Sequence, residues 1–226
     1  MTARLAVLAS GGGTNLQALL DRFNGDPAAP ARVELVVASR HRVGALQRAE
    51  RAGVPSAALS LAINGPDFPR LLLDVLQRHA IDLIILAGYL QLVPGEVVER
   101  YRGRILNIHP ALLPAFGGKG MYGMRVHQAV IASGARVSGA TVHHVDERYD
   151  EGSIVAQWPV PVLEGDTPET LAARVLRVEH LLLPAAIEAL LAAQPAERAM
   201  ESFVLADADR PEEAQVRLLN AHRHTT

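Results

Sequence analysis

Leu5-Ala6-Val7-Leu8-Ala9-Ser10-Gly11-Gly12-Gly13-Thr14-Asn15-Leu16 is the stretch from which the fold can be read. Leu5 to Ala9 is an apolar run of the length of a strand buried on both faces. The glycines follow, and then Leu16, Ala18, Leu19 and Phe23 recur at helical spacing. Strand, glycine turn and helix in that order aim free backbone N–H groups and a helix N-terminus at an anion. Two well-known versions of the arrangement are excluded. A Walker A loop needs Gly-Lys-Ser/Thr, and no lysine stands here. The dinucleotide fingerprint wants a third glycine where Leu16 is. On these residues alone a plain tight turn and a phosphate site are equally open.

Outward from that stretch the pattern repeats. Residues 24–30 read as a loop by their Gly, Asp and Pro content, 33–38 as a strand, and 44–52 as a helix ended by Gly53. A short strand is expected over 54–61. Phe68, Leu71, Leu72, Val75 and Leu76 form a helical stripe, and 81–87 is the next buried strand. Strands alternating with helices imply βαβ units and a parallel sheet covered on both sides. Such sheets bind ligands beyond the carboxyl ends of their strands, which places Ser10, Gly88, Asn107 and His109 at one edge.

The second half adds a different signal. Residues 115–124 carry four glycines and one basic residue, Lys119, and predict a mobile loop. Residues 137–145 alternate, with Thr141 and His143 on one face and Val142 and His144 on the other. A return strand beginning at Gly152 and running over 154–162 extends the sheet in antiparallel fashion. Asp166-Thr167-Pro168-Glu169 starts a helix with a capping side chain and an early proline. Leu171, Val175, Val178 and Leu182 then face the core as far as Gln194-Pro195. The expected fold is α/β, a single-domain, mostly parallel Rossmann-like sheet with helices on both faces and an antiparallel extension. Residues 1–195 form the catalytic domain, and 196–226, charged and weakly patterned, an extension of uncertain order.

Composition removes several classes of function. A net charge of −2 and a pI of about 6.5 argue against a nucleic-acid footprint. There is no cysteine, so disulfides and thiolate metal sites are excluded. Hydrophobic residues are 49% and aromatics only 4%, so the core must be aliphatic. A strand begins almost at once, without a basic-then-apolar signal segment, and no apolar run approaches the roughly 20 residues of a membrane span. A soluble, cytoplasmic protein is expected. His143 and His144 suggest no metal site with His109 and His127, because the adjacent pair points to opposite faces and no His-x-x-x-His occurs.

The chemistry falls in Ile105-Leu106-Asn107-Ile108-His109-Pro110-Ala111-Leu112-Leu113-Pro114. Asn107 and His109 are one strand repeat apart, so both side chains leave on the same side. One is a neutral amide donor. The other is the side chain most easily switched between acid and base near neutral pH. Pro110 ends the ladder, so the pair sits at a strand's end. An ordinary strand exit with a solvated histidine is the bland alternative.

Asn107 to Pro114, Asp150 in Tyr-Asp-Glu-Gly, and the opening Ser-Gly-Gly-Gly-Thr-Asn-Leu-Gln together resemble the 10-formyltetrahydrofolate-dependent formyltransferases. The resemblance runs from about residue 4 to about residue 190, and within the family it is to the branch acting on glycinamide ribonucleotide in purine synthesis. It implies formyl transfer with 10-formyltetrahydrofolate as co-substrate. Asn107 would donate to the oxyanion and His109 would move protons, with Asp150 as its carboxylate partner and positioner of a relay water. It assigns Gly13, Thr14 and Asn15 to the ribonucleotide phosphate and Glu179 to the glycinamide end. Leu90, Gln91, Leu92 and Val93 become the folate wall, and His143 lines its folate side or bonds within the sheet. His127 matches a family histidine before a helix.

The chain also departs from the family. Pro66-Asp67-Phe68-Pro69-Arg70 stands where many relatives carry arginine near position 65, so Arg70 is the candidate replacement contact for folate. Gln91 replaces a common arginine, and Leu176 stands where some relatives use glutamine. Methionyl-tRNA formyltransferases share the signature but add an RNA-binding domain, which the 36 residues after Leu190 are too few to supply. Formyltetrahydrofolate deformylase, a hydrolase, is the runner-up. A homodimer is left open.

Overall fold

The computed structural model describes residues 2–193 and two short strands, Phe203–Leu205 and Val216–Leu218. Most of the expected extension 196–226 lies outside the described residues, as does Gln194-Pro195. The first half alternates as expected: β1 (Ala3–Ala9), α1 (Thr14–Phe23), β2 (Ala31–Ala38), α2 (Gly44–Arg51), β3 (Ser56–Ala58), α3 (Leu61–Asn64), α4 (Phe68–Arg78) and β4 (Leu83–Leu86). Then come α5 (Gly95–Arg100), β5 (Ile105–His109), α6 (Met124–Ser133), β6 (Val137–His144), β7 (Ile154–Pro161) and α7 (Pro168–Ala192). The terminal strands are β8 (Phe203–Leu205) and β9 (Val216–Leu218).

All the strands join one sheet in the order β3-β2-β1-β4-β5-β6-β7-β8-β9. Pairing from β3 across to β5 is parallel; β6 runs antiparallel to β5, and β7 antiparallel to β6. The strand order reverses direction between β1 and β4, which opens a crevice at their carboxyl ends. There the Ser10 N–H donates to the Gly88 carbonyl at 3.0 Å and ties the two strand exits together.

Strand alternation divides the core. Leu5, Val7 and Ala9 join the cluster under α1, α2, α6 and α7, while Ala6 and Leu8 join the one under α4 and α5. Phe68, Leu72 and Leu76 of the predicted stripe are buried, whereas Leu71 and Val75 are half-buried at its margin. The α7 start is built as its sequence demands. Thr167 accepts from the Thr170 N–H, and the Thr170 hydroxyl accepts from the Thr167 N–H, closing a capping box. No helix among the described residues is long and apolar enough to cross a membrane.

Three segments differ from expectation. The strand expected over 54–61 is limited to Ser56–Ala58, because Ser60 caps α3 by accepting from the Ile63 N–H at 3.3 Å. Leu61 therefore belongs to a helix. A 3-10 turn at Gly65–Asp67 and then α4 follow directly. Helices α5 and α6 were not visible as amphipathic patterns, since α5 spans only six residues and α6 has a mixed sequence. The return strand covers Ile154–Pro161, one residue short of the expected 154–162, and Gly152 lies ahead of it.

Gly152 instead serves the approach to β7. A Cβ there would collide with the backbone carbonyl oxygen of His144, beside the irregular register between Val142 and His143. Gly152→Ala must push two backbones apart, which costs about 1–3 kcal/mol. Urea unfolding should show a lower midpoint for this variant, and an unchanged midpoint would mean the strands can separate there freely.

Candidate active site

The end of β5 carries Asn107 and His109 on one side, as the two-residue repeat requires. Antiparallel pairing sets Asn107 opposite His143 and His109 opposite Thr141. Thr141 is fully buried and anchors the segment beyond His109. Its hydroxyl donates to the Ala111 carbonyl at 2.6 Å and accepts from the Leu113 N–H at 3.0 Å. Gln157 on β7 donates to the Leu113 carbonyl at 2.8 Å.

The His143 ring is 2% exposed and its tautomer is fixed by its neighbours. Nδ1 donates to the His144 carbonyl at 2.8 Å, so Nε2 keeps its lone pair and accepts from Asn107 Nδ2 at 3.0 Å. Burial pushes the His143 pKa down, partly offset by the His144 carbonyl and by Asp150. A neutral His143 thus orients the Asn107 amide and leaves its second N–H free to donate elsewhere.

His109 is equally buried and is held differently. Its Nε2 donates to the Phe116 carbonyl at 2.9 Å, which turns Nδ1 toward Asp150 Oδ2 at 3.6 Å. Asp150 Oδ1 lies 3.6 Å from His143 Nε2. The Gly118 N–H donates to Asp150 Oδ2 at 2.9 Å. One carboxylate therefore sits between the two histidines, and the glycine-rich loop touches both His109 and Asp150 through its backbone. Asp150 and Phe116 both adopt positive φ, 56° and 57°. For non-glycine residues this conformation costs on the order of 1 kcal/mol and persists only where surrounding contacts enforce it.

A cavity of about 400 Å³ opens over this group. Asn107, His109 and Asp150 line it, together with Leu90, Asn15 and Glu179. Asn15 and Glu179 meet directly: Asn15 Nδ2 donates to Glu179 Oε2 at 2.6 Å. Burial pushes the Glu179 carboxyl up, and the Asn15 bond offsets part of that. A smaller cavity of about 70 Å³ adjoins, sharing Tyr89, Asn107, Tyr149 and Asp150 with the first. Gln91, Leu92, Val93 and His143 line it. Asn15 Oδ1, the Tyr89 hydroxyl and His127 Nδ1 are buried without a hydrogen-bond partner among the described residues. All three residues line the large cavity, where a polar ligand would satisfy them.

Gly13 stands at the head of α1 with φ 73°, and a Cβ there would come 2.8 Å from the Ala45 Cα. Thr14 opens the helix and is exposed, and Asn15 follows on its cavity side. Arg70 is not brought to either cavity lining. Its guanidinium reaches Asp67 and Asp74, each at 3.3 Å, on the exposed side of α4. His127 lies within α6 rather than before it and lines the large cavity. Sequence reasoning missed the Phe116 carbonyl and the Gly118 N–H, for which residue type carries no signal. It also missed Arg48 on α2, which donates to the Gly12 carbonyl at 2.8 Å. Among the described residues no group of three His, Cys, Asp or Glu side chains is arranged to hold a metal ion.

An α/β sheet with an amide, an imidazole and a carboxylate converging at its switch-point edge defines a class, and comparison supplies its name. The formyl transferase family model matches residues 3–187, and the chain belongs to that family. Its relatives include a chloroplastic phosphoribosylglycinamide formyltransferase of Vigna unguiculata, 47% identical over 83% of this chain. The chain spans only about 60% of that relative's length. The phosphoribosylglycinamide formyltransferase of Bacillus subtilis is 36% identical over 83% of this chain and 94% of its own length. Among solved structures, glycinamide ribonucleotide transformylase 1 from Symbiobacterium toebii superposes with a TM-score of 0.79 at 39% identity, covering 97% of this chain and 95% of that one.

Burial of histidines makes the fold sensitive to acid. His127, His143, His144 and His180 are all held below their ordinary value, burial being the largest cause in each. The unfolded chain titrates these rings near 6.5, so below that pH it binds more protons than the folded chain. Stability present above pH about 6.5 is therefore lost as pH falls. Glu179, held up, acts in the opposite sense within its own window. With four groups against one, the urea midpoint should drop between pH 7.5 and pH 5.5; a flat or rising midpoint would contradict the burial of these rings.

Proposed function

We propose that the chain transfers the formyl group of 10-formyltetrahydrofolate to the amine of glycinamide ribonucleotide in purine biosynthesis, acting as a cytoplasmic enzyme. The observation that carries this reading is the composition of one cavity. Asn107, His109 and Asp150 stand at one part of its lining, and the Asn15–Glu179 pair at the head of the glycine loop stands at another. A ribonucleotide with its phosphate on Gly13, Thr14 and Asn15 would run past Glu179 toward the histidine. Folate would occupy the side walled by Leu90, Gln91, Leu92 and Val93, beside His143.

The amine nitrogen attacks the formyl carbon, a C–N bond forms, and the carbonyl electron pair moves onto oxygen. The free N–H of Asn107 meets that oxyanion, a role suited to a neutral donor preset by its neighbour. A water held by Asp150 takes the proton that the amine loses and passes it to His109 Nδ1, while the proton on His109 Nε2 is given to the folate nitrogen as the old C–N bond breaks. To serve both partners His109 must exchange its Phe116 carbonyl contact for the substrate. Asp150 holds the imidazolium formed between the two transfers and orients the water that relays the proton.

The test is whether consumption of 10-formyltetrahydrofolate requires glycinamide ribonucleotide and yields its formylated amine. Folate turnover without any amine acceptor would reassign the chain as a formyltetrahydrofolate deformylase. Asn107→Ala should reduce turnover by about 10²- to 10³-fold with modest effect on either KM. His109→Ala should cost at least about 10²-fold. Turnover retained in both variants would remove the oxyanion and proton-transfer roles together.

A further inference from the structure

The glycine loop carries no cationic side chain of its own, yet four successive carbonyls are turned inward by protein donors. Arg40 donates to Ser10 O at 2.5 Å, the Ala45 N–H to Gly11 O at 3.1 Å, Arg48 Nε to Gly12 O at 2.8 Å, and the Gln17 N–H to Gly13 O at 2.9 Å. Across a trans peptide the N–H points opposite to the preceding C=O. Holding the carbonyls of residues 11 and 12 against α2 therefore turns the N–H groups of Gly12 and Gly13 the other way. Among the described residues neither N–H has a hydrogen-bond partner.

Arg48 does more than accompany this geometry. The same guanidinium donates through its NH1 nitrogen to Gln17 Oε1 at 2.8 Å, and Gln17 is steadied by donating to Asp21 Oδ1 at 2.7 Å. It thus pins the middle of the loop to the first turn of α1. Packing leaves little slack, since a Cβ on Gly44 would come 2.7 Å from Gly12 O. Arg48 is half-buried, and together with Arg40 on the Ser10 carbonyl it brings positive charge behind a loop that has none of its own. We propose that Arg48 is the positioning residue of a phosphate cradle formed by residues 11–15, setting both the direction of its N–H groups and its charge. The proposal rests on the reading of that loop as the ribonucleotide phosphate site.

Three variants of the full chain, Arg48→Ala, Arg48→Gln and Arg48→Lys, test it by steady-state kinetics. Loss of one charge-assisted hydrogen bond predicts a rise of about tenfold in the ribonucleotide KM for Ala. The turnover number and the folate KM should stay within about twofold of wild type, because Arg48 lies outside the folate side and the reacting atoms. Lysine keeps the charge and one donor, so it should restore KM to within about threefold, whereas glutamine should not. Titration with inorganic phosphate, followed by the amide resonances of Gly12, Gly13 and Thr14, should show the same order of affinities. An unchanged KM, glutamine restoring as well as lysine, or equal losses in turnover and both KM values would overturn the proposal. If wild type failed to formylate glycinamide ribonucleotide while phosphate still shifted these amides in an Arg48-dependent way, the substrate reading would fall and the cradle would stand.

Discussion

The antiparallel pairing of β5 with β6 is the constraint on which the site depends. Until β5 the sheet is parallel. Once β6 runs back alongside, each side chain leaving the end of β5 acquires a fixed neighbour across the ladder. Asn107 faces His143 and His109 faces Thr141. A slip of one residue would turn both Asn107 and His109 to the opposite face. The buried polar contacts of Thr141 with Ala111 and Leu113 make that slip costly, since each would leave an unpaired group in the core.

Chemically identical side chains acquire different tasks from their partners. His143 gives its proton to a backbone carbonyl and presents a lone pair to Asn107, so it behaves as a fixed acceptor. His109 gives its proton to the Phe116 carbonyl and presents its other nitrogen to Asp150. The Phe116 contact comes from a loop, the Asp150 contact from the turn between β6 and β7, and the Gly118 N–H joins the two. His109 is therefore held by the less regular elements. His143 is held by the sheet itself.

Much of this was legible in the residues, and the reasons are specific. The run Leu5–Ala9 followed by glycines has few structural solutions, and the spacing of Asn107 and His109 is a strand repeat whose direction Pro110 terminates. The α7 start announced itself through Thr167 and Pro168. What stayed hidden falls into two kinds. Backbone groups such as the Phe116 carbonyl and the Gly118 N–H carry no residue signature, so only the folded chain reveals them. Arg48 has an ordinary helical surface pattern, and only the fold brings it against a loop 36 positions away. Arg70 shows the reverse case. Its residue type and location suggested a ligand contact, but Asp67, three positions before it, and Asp74, four positions after it, engage its guanidinium locally.

In the proposed mechanism the Asn107 amide, oriented by neutral His143, faces the oxygen of a formyl group brought in by folate. A crystal structure with glycinamide ribonucleotide and a folate analogue whose formyl group cannot transfer would address it most directly. The account predicts the formyl oxygen about 2.7–3.1 Å from Asn107 Nδ2. It predicts the ribonucleotide amine within about 3.5 Å of the formyl carbon, and the phosphate on the N–H groups of residues 12–14. A formyl oxygen directed away from Asn107, with the amide still bonded to His143, would contradict it.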